Sequence, residues 1–323
     1  MNEFDLINKI KPKYYKQPTL IKGIGDDGAV FNSQCKQTVI AVDTFVENIH
    51  FTEETMSMFH VGYRSLAAAV SDLAAMGAMP AFYLASVILP TRDRSVVYES
   101  IFRGMDTFAA KYKMDLIGGD TVSGSVLALS ITVIGYVEKN KIHYRHHAKN
   151  HDIVFVTGTL GDSQAGLYLL QNKKTVSNGH YFIKRHQQPE PRVNFAQQLT
   201  DLKRVSLNDI SDGIVNELYE IAEASKVNLL IDESLIPKHK DLMEFPKNLV
   251  NEWIYYGGED FELVGTVPAK DWKQVKLIAS QTNTPVTKIG SVNNTLHKSI
   301  GKVFLKKDDS INLLNRSGYI HFE

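Results

Sequence analysis

Two hydrophobic periods alternate along the first half of the chain. Residues 37–46, 81–89 and 126–137 are rich in branched and aromatic side chains, which predicts three strands. Residues 58–76 and 95–112 place apolar side chains at helical spacing, which predicts two long amphipathic helices. Gly77 follows the first of them as a predicted C′ residue. The first half therefore predicts one sheet covered by helices.

The second half predicts a further set of strands and helices after a polar stretch at residues 139–150. Its predicted strands are 152–156, 206–210, 228–231, 256–267 and 286–292, and its predicted helices are 164–170, 213–225 and 271–281. Residues 177–192 contain Pro189 and Pro191 and predict a loop. We expect an α+β chain of two domains, residues 1–147 and 148–323, each with its own sheet.

Composition narrows the class of protein. The 323 residues are 43% hydrophobic and 22% charged, and 36 basic residues balance 36 acidic ones. This neutral balance argues against a general binder of nucleic acid or anionic membrane. The single cysteine allows no intrachain disulfide and no cysteine-rich zinc site. Residues 1–16 lack a signal-peptide core and no apolar run approaches ~20 residues, so we expect a cytoplasmic location.

Short turns rich in Asp and Gly recur at the ends of apolar segments. They are Gly25-Asp26-Asp27-Gly28, Gly118-Gly119-Asp120-Thr121, Asp209-Ile210-Ser211-Asp212-Gly213 and Gly257-Gly258-Glu259-Asp260. Any one of them is explained by turn chemistry, since Asp bonds to its own backbone. Asp43 within a strand and Asp72 within a buried-looking helix are harder to explain in this way. A buried carboxylate needs a partner, either a distant arginine or a metal ion.

If these acids converge, they provide hard oxygen ligands suited to Mg²⁺. Neighbouring glycines would let backbone amides approach phosphate oxygens, and the metal would offset the repulsion between the acids and ATP. The pattern then predicts metal-assisted phosphoryl transfer. The match of residues 23–28 to G-x-G-x-x-G is weak, and the P-loop, G-x-S-x-G and H-E-x-x-H motifs are absent.

Several other residues allow both a structural and a functional interpretation. His50 is either a hydrogen-bonded surface residue or a phosphate or metal contact. Arg145, Arg185 and Arg192 are either solvated charges or phosphate clamps. Tyr319 is either a minor core residue or a surface on which a ring stacks.

In order along the chain, seven segments resemble the bacterial thiamine-monophosphate kinase family of the aminoimidazole ribonucleotide synthetase superfamily. They are residues 25–30, 43–51, 71–77, 118–121, 158–163, 209–213 and 257–260. The resemblance implies two α+β domains and a homodimer whose N-terminal sheets join into a barrel. It also implies transfer of phosphate from ATP to thiamine monophosphate with several Mg²⁺ ions, giving thiamine diphosphate.

The resemblance further implies a role for each matching residue. The implied Mg²⁺ ligands are Asp27, Asp43, Asp72, Asp120, Asp209 and Asp212. The implied ATP contacts are Phe102, Gly119, Arg145 and Ser211. The implied contacts to thiamine monophosphate are His50, Glu259 and Tyr319. No side chain is assigned as a general base, because the acceptor phosphate is already anionic at neutral pH.

Three positions depart from the family pattern. Ala41 and Val42 stand where the family usually has hydroxyl residues, and Tyr319 stands where it often has tryptophan. Two alternatives remain beside the kinase. One is a related ATP-dependent synthetase of the same superfamily, and the other is a non-catalytic sensor of Mg²⁺ and nucleotide.

Overall fold

The computed structural model of the chain describes residues 10–22, 30–32, 36–90, 94–297 and 299–316. These residues divide into two compact units. The first comprises the described parts of Met1–Leu73, Ala78–Asn140 and Gln187–Pro189, and the second those of Ala74–Gly77, Lys141–His186 and Glu190–Glu323. The division into domains 1–147 and 148–323 stays a prediction. Within the described ranges, no helix has the length and apolar character needed to cross a membrane.

The first unit is built on a four-stranded sheet and two long helices. Its strands are β1 (Leu20–Lys22), β2 (Val30–Phe31), β3 (Gln37–Val46), β4 (Met79–Leu89), β5 (Asp115–Ser123) and β6 (Ala128–Val137), and its helices are α1 (Met58–Ala75) and α2 (Arg94–Tyr112). β1 and β2 pair separately, and the four-stranded sheet has the order β3-β6-β4-β5. β4 and β5 run parallel, whereas the other neighbours in that sheet are antiparallel.

Two glycines let α1 and α2 touch along their backbones. A Cβ on Gly62 would lie 1.9 Å from the Ile101 carbonyl oxygen, and a Cβ on Gly104 would lie 1.9 Å from that of Phe59. Any side chain at either position would therefore push the helices apart. The predicted end of α1 is confirmed, because Gly77 has a left-handed φ of +73° and donates to the Ala74 carbonyl at 2.8 Å.

The second unit carries a seven-stranded sheet with the order β13-β12-β9-β11-β7-β10-β8. Its strands are β7 (Ile153–Thr157), β8 (Ser206–Asp209), β9 (Leu229–Asp232), β10 (Leu263–Val267), β11 (Val286–Val292), β12 (Val303–Lys307) and β13 (Ser310–Leu313). Its helices are α3 (Asp162–Asn172), α4 (Gly179–Gln187), α5 (Val193–Leu199), α6 (Ile214–Ser225), α7 (Lys247–Tyr256) and α8 (Trp272–Gln281). β9 and β12 are parallel, and the other pairs are antiparallel.

Alternating side chains on β7 show that both faces of this sheet are covered. Val154 and Val156 lie in a hydrophobic core cluster that also contains buried residues of α3, α6 and α7. Phe155 points to the other face and packs on Phe195 of α5 and Trp272 of α8, with ring centroids 6.3 and 6.1 Å away. β7 therefore lies between two apolar layers, which agrees with its continuously buried pattern.

Three local predictions were wrong. Residues 177–192 contain helix α4, because Phe182 and His186 lie one turn apart and are both buried. Residues 256–267 are not one strand, since α7 ends at Tyr256 and β10 begins at Leu263. Residues 118–121 are not a turn but the middle of β5, where the main-chain ladder to β4 overrides the turn preference of Gly and Asp.

Candidate active site

The first unit places three of the predicted acidic ligands on regular elements. Asp43 lies on β3 and Asp120 on β5, which are the two edge strands of the sheet. Asp72 lies on α1 between the fully buried Val70 and Leu73 but is itself half-buried. The surrounding run is therefore buried as expected, while the carboxylate keeps some access to solvent.

The strand register places Asp43 and Asp120 on opposite faces of the sheet. Thr44 is opposite Ser130, Ser130 is opposite Ser86, and Ser86 is opposite Asp120. Residues directly opposite share a face, and the Thr44 hydroxyl lies 3.3 Å from that of Ser130. Asp43 precedes Thr44 on a regular strand and therefore points to the other face.

The packing of α2 gives the same orientation. The Tyr98 hydroxyl of α2 lies 3.2 Å from the Thr121 hydroxyl, so Thr121 faces the helices and its neighbour Asp120 faces away. Three interstrand spacings also separate β3 from β5, a distance of roughly 14 Å. Within this unit, Asp43 and Asp120 are not brought together around one ion.

The other predicted contacts in the first unit differ in exposure. The Val46 amide donates to His50 Nδ1 at 3.0 Å, which leaves the proton of the neutral imidazole on Nε2. Phe102 is only 6% exposed and packs on Tyr98 with ring centroids 4.6 Å apart, while Gly119 is exposed. Asp27 and Tyr319 lie outside the described residues.

In the second unit, two of the predicted motif loops pair with each other. The Ile210 amide donates to the Glu262 carbonyl at 2.8 Å, and the Phe261 amide donates back to Ile210 at 3.0 Å. The Glu259 amide then donates to the Ser211 carbonyl at 2.7 Å. These bonds extend the β8–β10 pairing beyond the ends of both strands, so the loops at 209–213 and 257–260 form one structure.

This loop pair depends on unusual backbone conformations. A Cβ on Gly258 would lie 2.2 Å from the Ser211 carbonyl oxygen, so the approach requires glycine. Glu259 has φ +70°, which a non-glycine residue adopts at some energetic cost. Strain of this kind is often found where a side chain is aimed at a ligand, and Glu259 is the predicted substrate contact.

Acidic side chains accumulate beside the 209–213 turn. Asp209 is 4% exposed and Glu217, in the first turn of α6, is 2% exposed. Burial raises the pKa of Glu217 to about 9, and the nearby carboxylates of Asp209, Glu220 and Asp212 add to the effect. Negative charge at this turn therefore exceeds what its surroundings neutralise, a condition that a divalent cation would relieve.

Arg145 reaches the same acidic region from the 3₁₀ turn Arg145–His147. Its Nε donates to Asn208 Oδ1 at 2.9 Å, and its Nη1 lies 3.0 Å from Glu220 Oε2. Half of its side chain is exposed, so the guanidinium keeps a solvent-facing side. Arg145 is thus more than a solvated charge, because two side chains orient it.

A buried cluster of charged side chains lies next to the 257–260 loop. The sequence did not predict that these side chains contact one another. Glu262 is fully buried and accepts from Thr157 Oγ1 at 2.6 Å, Arg185 Nη2 at 2.8 Å and Arg192 Nε at 2.7 Å. Burial raises the pKa of Glu262, but Arg192 and Arg185 outweigh it and hold the pKa below its usual value. Both arginines, ambiguous in the sequence, therefore serve structure.

Asp260 connects the same loop to the start of α3. Its carboxylate accepts from the Gly161 amide at 2.7 Å and the Ser163 amide at 3.1 Å, where the helix amides lack internal partners. Burial raises the pKa of Asp260 to about 7, helped by the negative charge of Asp162. In the sequence, an Asp beside Glu259 could equally have been a residue that binds metal or substrate, so this structural contact was not predicted.

The donor chemistry of the described acids fits Mg²⁺, although the described residues do not complete a site. They include no set of three His, Cys, Asp or Glu side chains placed to hold a metal ion. The oxygens of Asp209 and Asp212 are the hard donors that Mg²⁺ prefers, and the ion normally completes its shell with water and phosphate. The residues thus suit an ion that arrives with a nucleotide.

Comparison with known families defines the class. Family models of the AIR synthase related protein match residues 25–137 for the N-terminal domain and 149–302 for the C-terminal domain. These matches cover most of the chain, which thus consists of two α+β domains of the AIR synthase related type. The expected α+β class is confirmed.

More similar proteins define the family within that class. The thiamine-monophosphate kinase of Bacillus subtilis (strain 168) is 44% identical over 329 aligned positions, with all of both chains covered. The chain therefore belongs to the thiamine-monophosphate kinase family, and the resemblance seen in its motifs is confirmed.

Solved structures agree with this assignment. The crystal structure of thiamine-monophosphate kinase from Stenotrophomonas maltophilia K279a has a TM-score of 0.84 and 30% identity, and covers 94% of this chain and 96% of that one. AaThiL complexed with AMPPCP and TMP has a TM-score of 0.77 and 28% identity, and covers 99% of this chain and 97% of that one.

Proposed function

We propose that this chain transfers the γ-phosphoryl group of ATP to thiamine monophosphate, producing thiamine diphosphate and ADP. The observation that carries the proposal is 44% identity over the whole chain to a thiamine-monophosphate kinase. The similarity to AaThiL complexed with AMPPCP and TMP supports both substrates. A cytoplasmic location is part of the proposal.

Each predicted residue keeps its role in this proposal. Asp27, Asp43, Asp72, Asp120, Asp209 and Asp212 hold Mg²⁺ ions; Phe102, Gly119, Arg145 and Ser211 contact ATP; His50, Glu259 and Tyr319 contact thiamine monophosphate. The acidic excess at the 209–213 turn supports the metal roles there. The solvent-facing guanidinium of Arg145 supports a contact with phosphate.

The reaction needs little proton chemistry from the protein. An oxygen of the substrate phosphate forms the new bond to the γ-phosphorus, while the bond from that phosphorus to the β–γ bridging oxygen breaks and ADP departs. The acceptor phosphate is ionised at neutral pH, so no general base is required. Bound Mg²⁺ would supply charge neutralisation for the phosphates. The chain contributes mainly the positions of both substrates.

A homodimer whose first-unit sheets join into a barrel is the proposed assembly. One face of the four-stranded sheet leaves apolar side chains exposed on three strands: Ile40 at 64%, Val42 at 60%, Ile88 at 37% and Val122 at 46%. Exposed apolar side chains grouped on one face of a sheet are typical of an interface. Because β3 and β5 are the two opposite edges of one sheet, we propose that Asp43 and Asp120 meet in one site only across two copies, where the edge of one sheet joins the edge of the other.

Turnover of ATP with and without thiamine monophosphate tests the activity. We expect ADP and thiamine diphosphate to form in equal amounts when Mg²⁺ is present. An ATPase rate unchanged by thiamine monophosphate would reject the kinase and favour a related synthetase. Nucleotide binding without any turnover would favour the non-catalytic sensor.

The metal role of Asp72 needs a readout beyond activity. We expect Asp72→Asn to fold normally, to lose turnover, and to require more Mg²⁺ for binding a non-hydrolysable ATP analogue, measured by calorimetry. Glu99→Gln on α2 is the control for removing a helix carboxylate. Wild-type turnover and Mg²⁺ dependence in Asp72→Asn would remove Asp72 from the site.

A further inference from the structure

The carboxylate of Glu217 is bonded to the turn that carries the proposed nucleotide ligands. Glu217 lies in the first turn of α6, and its Oε1 accepts from the Asp212 backbone amide at 3.2 Å. The Ser211 hydroxyl lies 3.5 Å from the same oxygen, at the limit of a hydrogen bond. One buried oxygen therefore faces two consecutive residues of the 209–213 turn.

The second carboxylate oxygen of Glu217 reaches the residue that orients Arg145. Asn208 Nδ2 donates to Glu217 Oε2 at 2.5 Å and to Glu220 Oε2 at 3.0 Å. Asn208 Oδ1 in turn accepts from Arg145 Nε at 2.9 Å. This chain of bonds fixes the Asn208 amide, because only its oxygen can accept from the guanidinium.

Glu217 is thus a point where two separate parts of the proposed nucleotide site meet. Ser211 and Asp212 follow β8, whereas Arg145 comes from a turn 63 residues before Asn208. An acidic side chain is an unfavourable choice for packing beside Asp209 and Asp212, since the carboxylates repel one another. Its value lies in placing one oxygen toward each of two donors, the Asp212 amide and Asn208 Nδ2, whereas an amide side chain has only one oxygen.

We propose that Glu217 is a positioning residue for the nucleotide. It holds the turn of Ser211 and Asp212 and, through Asn208, the guanidinium of Arg145 in the arrangement that receives metal-bound ATP. Glu217 itself contacts neither substrate. The inference rests on the proposed function, because it assigns those three residues to ATP and its metal.

Two substitutions test the role without depending on turnover alone. Glu217→Gln keeps the length but turns an acceptor into a donor that opposes Asn208 Nδ2. Glu217→Asp keeps the carboxyl group but shortens the reach by one methylene. We expect either variant to bind a non-hydrolysable Mg²⁺–ATP analogue about 10-fold or more weakly, with a higher Mg²⁺ requirement. The KM for thiamine monophosphate should stay within about twofold of wild type.

Glu223→Gln is the matched control, because Glu223 lies on the same helix but is exposed and pairs with Arg316 at 2.8 Å. It should leave all three quantities unchanged. Equal weakening of both substrates, with a lowered melting temperature, would mean that Glu217 serves folding and would overturn the proposal. Wild-type nucleotide affinity in either folded Glu217 variant would overturn it as well.

The binding measurement also separates the two proposals. If the wild-type protein binds the Mg²⁺–ATP analogue but never phosphorylates thiamine monophosphate, the kinase assignment fails while the Glu217 comparison can still be made. If the wild-type protein does not bind the nucleotide, both proposals fail. Should Glu217→Gln be isolated unfolded, the Glu217→Asp variant, which keeps the carboxyl group, decides the question.

Discussion

Two sets of acidic side chains, one in each unit, differ in burial and in hydrogen bonding. In the first unit, Asp43 and Asp120 lie on the edge strands of a sheet with part of each side chain accessible. In the second, Glu217, Asp260 and Glu262 are buried at 2% exposure or less, and each accepts hydrogen bonds from main-chain or side-chain donors. Accessible carboxylates retain hydration, whereas buried ones require partners from the protein. The first set is suited to ligands, and the second to holding loops.

This difference predicts how substitutions divide between activity and stability. Removing an accessible acid of the first unit should reduce activity while leaving the free energy of unfolding almost unchanged. Removing a buried acid of the second unit should change both, because its donors are left without an acceptor.

The largest expected effect is on stability, at Glu262. Glu262→Gln removes the charge that Arg185 and Arg192 share, leaving two largely buried guanidinium groups uncompensated. We expect the free energy of unfolding, measured by urea denaturation at neutral pH, to fall by about 3–5 kcal/mol. Glu223→Gln, which breaks an exposed pair with Arg316, should cost less than about 1 kcal/mol. Equal stability of the two variants would end the contrast between buried and exposed acids.

The next effect is on activity and tests the site shared between copies. Asp43→Asn and Asp120→Asn should each reduce kcat by roughly 100-fold or more while unfolding like wild type. After the two inactive variants are mixed and allowed to exchange subunits, about a quarter of the sites should regain both acids if each site draws on two copies.

The opposite result, no recovery of activity on mixing, would contradict a site shared between copies. If Asp43 and Asp120 serve the same site within one chain, every site in a mixed dimer carries one substitution and activity stays low. Mixing two preparations of the same variant is the control. A chain that remains monomeric at assay concentration would also contradict the shared site.

A smaller effect is expected from closing the space between the two loops. Gly258→Ala places a methyl group where only 2.2 Å separates it from the Ser211 oxygen, so the 257–260 loop must move. We expect a loss of about 1–3 kcal/mol in stability and a rise in the KM for thiamine monophosphate, since Glu259 shifts. Gly179→Ala, whose nearest neighbour would be 3.4 Å away, should be close to neutral. Wild-type kinetics for Gly258→Ala would argue against a role for the loop pairing.

The smallest effect, per pH unit, is a pH dependence of stability. The pKa of Asp260 is raised to about 7 in the folded chain, so between about pH 4 and 7 the folded state binds more protons than the unfolded state. Stability contributed by this group therefore falls as pH rises through that window, by at most about 1.4 kcal/mol per pH unit. Asp260→Asn should reduce this slope in urea titrations at several pH values and leave the part that Glu217 contributes.

A control of opposite sign is available in the same unit. Hydrogen bonds from Ser234 lower the pKa of Asp232, so its contribution is present at neutral pH and lost as pH falls below about 4. Asp232→Asn should leave the slope between pH 4 and 7 intact. A wild-type slope in Asp260→Asn would show that Asp162 or another group causes it.

Most regular elements could be predicted from local pattern. The strands at Gln37–Val46 and Val286–Val292 were predicted with their observed bounds, and α1 and α2 within one residue at each end. These segments have a clear hydrophobic period, which reflects only neighbours in the chain. α4 was missed because its charges and the two prolines that follow it suggested a loop, although Phe182 and His186 are buried one turn apart.

The sequence by itself determined the class of fold, the family motifs and the set of acidic candidates. The tertiary structure decided which faces Asp43 and Asp120 occupy and which acids are bonded inward. Glu262 meets Arg185 across 77 residues, and Asn208 meets Arg145 across 63. Such pairings depend on strand register, which sets the residues that meet, and on burial. Burial lowers the local dielectric constant, so that each buried polar group needs its partner. Periodicity along a chain carries no record of either, because both arise only when distant segments pack.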